Sequence, residues 1–143
     1  MRKKLCLVLA TALLAAFTAG CASDVKKPTE DSIIAMEALD IVEGLRNAYT
    51  SRDFSSMARF STGEAYRVIG GGLKSFDKVE LAFTPKWVEM NRDADAVEML
   101  VAWRGTWTVG ENVSEKDGMV LFSLGGKPLK LMGIERLSPF AQP

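Results

Sequence analysis

The chain has 143 residues, 18 Lys+Arg against 18 Asp+Glu, two cysteines and no histidine. The absence of histidine excludes imidazole proton transfer and a histidine metal site, and the balanced charge supplies no basic stripe for nucleic acid. Two cysteines are too few for a disulfide framework, so the body of the protein must be held by its apolar core.

Residues 1–20 read as an export leader. Arg2, Lys3 and Lys4 form a basic start, and Leu5 to Gly20 then runs without a charge. That run is about 16 residues, short of the about 20 that a transmembrane helix needs, and it ends in small residues, as a cleavable leader does. Removing it takes away Arg2, Lys3, Lys4 and no acid, so the remainder carries 15 basic and 18 acidic groups. It has no polybasic patch for anionic lipid. Cys6 leaves with the leader, and Cys21 becomes the first residue.

The stretch Thr18-Ala19-Gly20-Cys21 resembles the lipobox of bacterial lipoproteins, with Thr18 where that motif usually has Leu. The resemblance implies a lipid on the Cys21 thiol, cleavage just before it, and palmitate-like acylation that gives stable membrane anchoring. Ala22, which is not Asp, implies sorting to the outer membrane on its periplasmic side. Residues 21–30 then form the lipidated cysteine and a polar tether, which at about 3.3 Å per residue reaches up to roughly 30 Å.

Residues 31–140 form one domain. The spacing of Ile34, Ala38, Ile41, Leu45 and Ala48 predicts a helix over 31–50, capped by Asp31 or Ser32, with Glu37, Asp40, Gly44 and Asn47 on the opposite face. "SRDFSSMARF" predicts a second, short helix with Asp53 as its cap and Phe54, Met57 and Phe60 buried. Residues 61–78 read as irregular, with Gly70-Gly71-Gly72 a flexible point.

The second half reads as β. Val79, Leu81, Phe83, Pro85 and Trp87 alternate, after which the apolar face shifts to Val88 and Met90. Pro85 cannot donate a ladder hydrogen bond and predicts a bulge or an edge. A polar turn, "NRDAD", follows. Val97, Met99, Val101, Trp103, Trp107 and Val109 then alternate over 96–109. "GENVSEKDG" reads as a long loop, Met119–Leu124 as a strand, Gly125-Gly126 as a tight turn and Leu129–Leu137 as the last strand. Two helices on a curved antiparallel sheet of about four strands is an α+β arrangement.

"AYTSRDFSSMARFS" is similar to the first-to-second helix junction of the NTF2-like, or SnoaL-like, family. "GGKPLKLMGIERLSPF" is similar to that family's closing hairpin, with Leu129 where the family often has Trp. The resemblance implies a cone-shaped α+β domain. It implies no activity, because the fold hosts enzymes, binders and assembly modules alike.

Candidate chemistry is sparse. A buried carboxylate is the remaining type of base, which singles out Asp53, Glu64, Asp77 and Glu98, with Tyr49 and Tyr66 as partners. Asp53 reads first as a helix cap and Asp77 as a turn residue. Glu98 alternates outward. None is assigned as catalytic. "AWRGTW", residues 102–107, places Trp103, Gly105 and Trp107 on one strand face. Two rings flanking a missing side chain suggest a slot for an apolar ligand, with Tyr66 beside it; core packing is the alternative. Arg104 faces the other way, toward Glu98 or a partner. No cofactor or metal is expected. "GGGLKS" lacks the adjacent Gly-Lys-Ser/Thr of a phosphate loop, and "NRDADA" lacks the glycine and glutamate of a calcium loop. "NVS", residues 112–114, is a glycosylation triplet without meaning in bacterial export.

These readings lead to a lipid-anchored envelope protein, without catalysis, that binds a protein partner, a second copy or a small apolar ligand. The alternatives are a SnoaL-like isomerase or hydrolase with a buried carboxylate, and a purely structural envelope lipoprotein.

Overall fold

The computed structural model describes residues 27–143. The leader, Cys6, Cys21 and most of the tether therefore lie outside the described residues.

Among the described residues, three helices precede four strands. Helix α1 spans Glu30–Thr50. Its cap is Thr29, not Asp31 or Ser32: the Thr29 hydroxyl accepts from the Ser32 N–H at 3.2 Å. Glu30 and Asp31 instead fill the first turn, where their charge complements the helix dipole. The buried face is the predicted stripe from Ala38 to Ala48, widened by Val42 and Tyr49. Gly44 is not on a free face. A Cβ there would come within 2.7 Å of the Phe60 ring, so its absence lets the next helix approach.

Helix α2, Phe54–Phe60, is capped by Asp53 as predicted. Met57 is fully buried and Phe60 packs half-buried against the core, but Phe54 is exposed. It sits at the first helical position, before the helix turns toward the sheet. Residues 61–78 are not irregular throughout, because Gly63–Gly72 form helix α3. Thr62 caps it by accepting from the Ala65 N–H at 3.3 Å, and Ala65 and Ile69, four residues apart, are buried. Their burial outweighs the poor helix propensity of Gly70, Gly71 and Gly72.

The strands are β1 (Lys78–Asn91), β2 (Ala96–Val109), β3 (Asn112–Gly125) and β4 (Lys130–Arg136). They pair antiparallel in the order β1-β2-β3-β4, a meander that is open rather than closed into a barrel. The fold is α+β. Register in the first pair runs Phe83↔Trp103 and Pro85↔Val101, then shifts so that Trp87 faces Leu100. The bulge expected at Pro85 is there, and it reverses the alternation for every residue beyond it. Trp87 turns to the side opposite Val79, Leu81 and Phe83, while Val88 and Met90 return to the core side.

"GENVSEKDG" is not a long loop. Gly110 and Glu111 make a two-residue turn, Gly110 takes φ +59°, and β3 begins at Asn112. β4 pairs with β3 only from Val120 onward, so residues 112–119 have no strand partner on that side, where Lys116 instead donates to the Pro143 carbonyl at 2.6 Å. This accounts for a polar composition that hides the strand. The last turn is longer than Gly125-Gly126: Gly125 pairs with Lys130, and Gly126 to Leu129 lie between them. The free edge of β4 is covered at one point, where the Thr62 N–H donates to the Leu131 carbonyl at 2.8 Å.

The core lies between the helices and one sheet face. It contains Val97, Met99, Val101, Trp103 and Trp107 of β2, Val120, Phe122 and Leu124 of β3, and Leu131 of β4. A short 3-10 turn, Pro139–Ala141, closes it with the buried Phe140.

Candidate functional site

Trp103, Gly105 and Trp107 share the helix-covered face of β2, as alternation requires, but they enclose no slot. Trp107 is fully buried, and its six-membered ring occupies the space that a Gly105 side chain would take. Its Nε1 donates to the Tyr49 hydroxyl at 3.0 Å, and that hydroxyl donates to the Gln142 carbonyl at 3.3 Å. Trp103 meets Trp107 edge to face, with centroids 6.0 Å apart, fills the space beside Gly118, and donates its Nε1 to the Leu137 carbonyl at 2.9 Å. Both rings are thus packed and both N–H groups satisfied, which is the core alternative and not a ligand slot. Tyr66 packs half-buried on α3 against the same core and lines none of the three clefts described below.

The four carboxylates are not brought together inside the domain. Asp53 accepts from the Ser56 hydroxyl at 2.5 Å and the Ser56 N–H at 3.0 Å, and these two bonds hold its pKa below the usual carboxylate value. It is a cap. Asp77 accepts from the Gly110 N–H at 2.6 Å and ties the β2–β3 turn to the start of β1. Glu64 is exposed in the first turn of α3. Glu98 lines a shallow polar cleft with Glu89, Arg92 and Asp93. Tyr49 is paired with Trp107 and a carbonyl rather than with a carboxylate, and burial raises its pKa above 10.0. Arg104 lies opposite Asp117 across the strands. It cannot reach Glu98, which is six residues along β2, or about 20 Å.

Two other surfaces stand out. The sheet face away from the helices carries Trp87, Leu100 and Leu121 in one cross-strand row, with Ala102 opposite Met119 in the next. Trp87 and Met119 are each 38% exposed. Lys86, Arg104 and Asp117 border a shallow hollow of about 440 Å³ there.

The second surface is a cleft of about 250 Å³ at the end of the domain where α1 starts. Three segments meet in it: the first turns of α1, the β1–β2 turn and the β3–β4 turn. Its floor includes Ile34, Met90, Val97 and Leu129, which sequence reading assigns to the core or to a strand. Alternation marks such residues as apolar-facing but cannot tell a buried face from a cleft floor.

Among the described residues no helix is long and apolar enough to cross a membrane, and no three Asp, Glu, Cys or His side chains converge as a metal site. No protein-family model matches this chain, and neither does any curated protein or solved structure.

Proposed function

We propose that this chain is a bacterial envelope lipoprotein, anchored through Cys21 to the outer membrane on its periplasmic side, whose NTF2-like domain is a non-catalytic module that pairs with a second copy through the open sheet face. The observation that carries the reading is the exposure of Trp87 and Met119 on the sheet face away from the helices, in cross-strand rows with Leu100, Leu121 and Ala102. Large aromatic and methionine side chains are enriched in interface cores. Arg104 and Asp117 sit side by side on the same face, so a two-fold axis running between them would set each against the opposite charge of the other copy.

The reading as an isomerase or hydrolase is less well supported. It needs a carboxylate inside the domain, whereas Asp53, Glu64 and Asp77 are exposed and the space around the tryptophans is filled.

The test is sedimentation equilibrium of the unlipidated chain from residue 21 onward carrying Cys21→Ser. A dimer is expected, weakened at least about 30-fold by Trp87→Glu if that ring is a central anchor. A monomer at every concentration, or a dimer indifferent to Trp87→Glu, would overturn the proposed interface.

A further inference from the structure

The cleft at the start of α1 lies away from the open sheet face and draws on different residues. Its apolar floor is made by Ile34 from the helix, Met90 and Val97 flanking the β1–β2 turn, and Leu129 and Pro128 from the β3–β4 turn. Ile34, Met90 and Leu129 are half-buried and packed on the core from behind. The floor is therefore supported by the core and does not depend on a ligand to form.

The volume limits the occupant. About 250 Å³ exceeds the roughly 150 Å³ that holds a benzene and falls just short of the roughly 300 Å³ at which drug-sized sites begin. One ring or one short alkyl chain fits. The apolar surface also continues outside the cleft. Ile33 is 55% exposed and Met36 61% exposed on the flank of α1, and Ile33 stands one turn before Glu37 on the cleft rim.

The rim sets the charge. Asp31, Glu37 and Asp95 face Arg92 and Lys127 around the opening. Arg92 is engaged: its Nη2 donates to the Asp31 carboxylate at 2.9 Å, bridging α1 to the β1–β2 turn. That pair neutralises itself. Glu37 and Asp95 are then set against Lys127 alone, which leaves the opening net negative.

We propose that this cleft binds a small cationic amphiphile: one short alkyl chain or one ring on the floor, with an ammonium group held at the rim by Glu37 and Asp95. The site does not depend on the pairing of two copies.

Binding is tested on the same unlipidated chain, with its methionine methyls ¹³C-labelled, by titration with monomeric octyltrimethylammonium, octyl sulfate and octyl glucoside. The expected result is movement of the Met90 methyl signal while Met119 on the sheet face stays still. The ammonium compound is expected to bind about fivefold tighter than the sulfate, the scale of exposed charge pairs. Glu37→Lys is expected to reverse that order and Asp95→Asn to reduce it, since Asn tolerates the left-handed backbone at 95 (φ +47°). Equal binding of all three compounds, tighter binding of the sulfate, an unmoved Met90 signal or movement of Met119 instead would overturn the proposal. Sedimentation of the same samples reads the pairing of copies separately, so the two ideas fail independently.

Discussion

The indole of Trp107 lies over Gly105, two residues back on the same face of β2, in the volume that a side chain at 105 would need. The pair works as one unit. The glycine supplies the space, and the ring fills it and reaches Tyr49 with its N–H. Gly105→Ala should overpack this site and cost about 1–3 kcal/mol. Urea unfolding followed by tryptophan fluorescence measures it; unchanged stability would mean that the ring has another place to go.

Tyr49→Phe removes the acceptor for Trp107 Nε1 in a buried site. The expected loss is about 1–3 kcal/mol, the cost of leaving a buried donor unsatisfied. The same substitution has a pH signature. Burial raises the Tyr49 pKa in the folded chain above the ordinary phenol value of 10.0. Its contribution is therefore complete below pH 10, where folded and unfolded chains both keep the proton. Above that the unfolded chain ionises first, and the contribution is lost as pH rises through the folded value. The wild type should lose stability faster than Tyr49→Phe on the alkaline side. Parallel curves above pH 10 would contradict the buried hydroxyl.

Asp53 acts in the opposite direction. The Ser56 hydroxyl and then the Ser56 N–H hold its pKa below the ordinary carboxylate value of 3.8. Its ionised form thus stabilises the fold above the unfolded value, and that stability is lost as pH falls through the lowered one. Asp53→Asn keeps a capping oxygen without the titration, so its melting temperature should fall less steeply below pH 4. A wild-type curve of the same slope in acid would remove the charge from the account of this cap.

Cys21→Ser should abolish metabolic labelling of the chain with palmitate in a bacterial host and release it from the membrane fraction. Retained label, or label that follows Cys6, would overturn the lipid anchor.

Several elements were legible in the sequence because their signals are local. The stripe from Ile34 to Ala48 fits the 3.6-residue period, the alternation in β1 and β2 fits the period of two, and Pro85 marks a real bulge. Asp53 before a short apolar run is a cap in sequence and in structure. Helix α3 was hidden because three consecutive glycines argue against a helix, and the burial of Ala65 and Ile69 that offsets them is a tertiary contact. The start of β3 was hidden because residues 112–119 pair with a strand on one side only and carry an exposed, polar composition.

The sequence by itself determined the α+β class, the four-strand meander and the face on which each β2 residue lies, since the period of a chain and its breakers are properties of neighbouring residues. Only the tertiary structure decided that Trp103 and Trp107 fill the interior instead of lining a slot, because that depends on the bare backbone at Gly105 and Gly118 and on partners at Tyr49 and Leu137. It alone formed the end cleft, whose floor and rim come from residues 31–37, 90–97 and 126–129. No local period encodes a surface built where three distant segments meet.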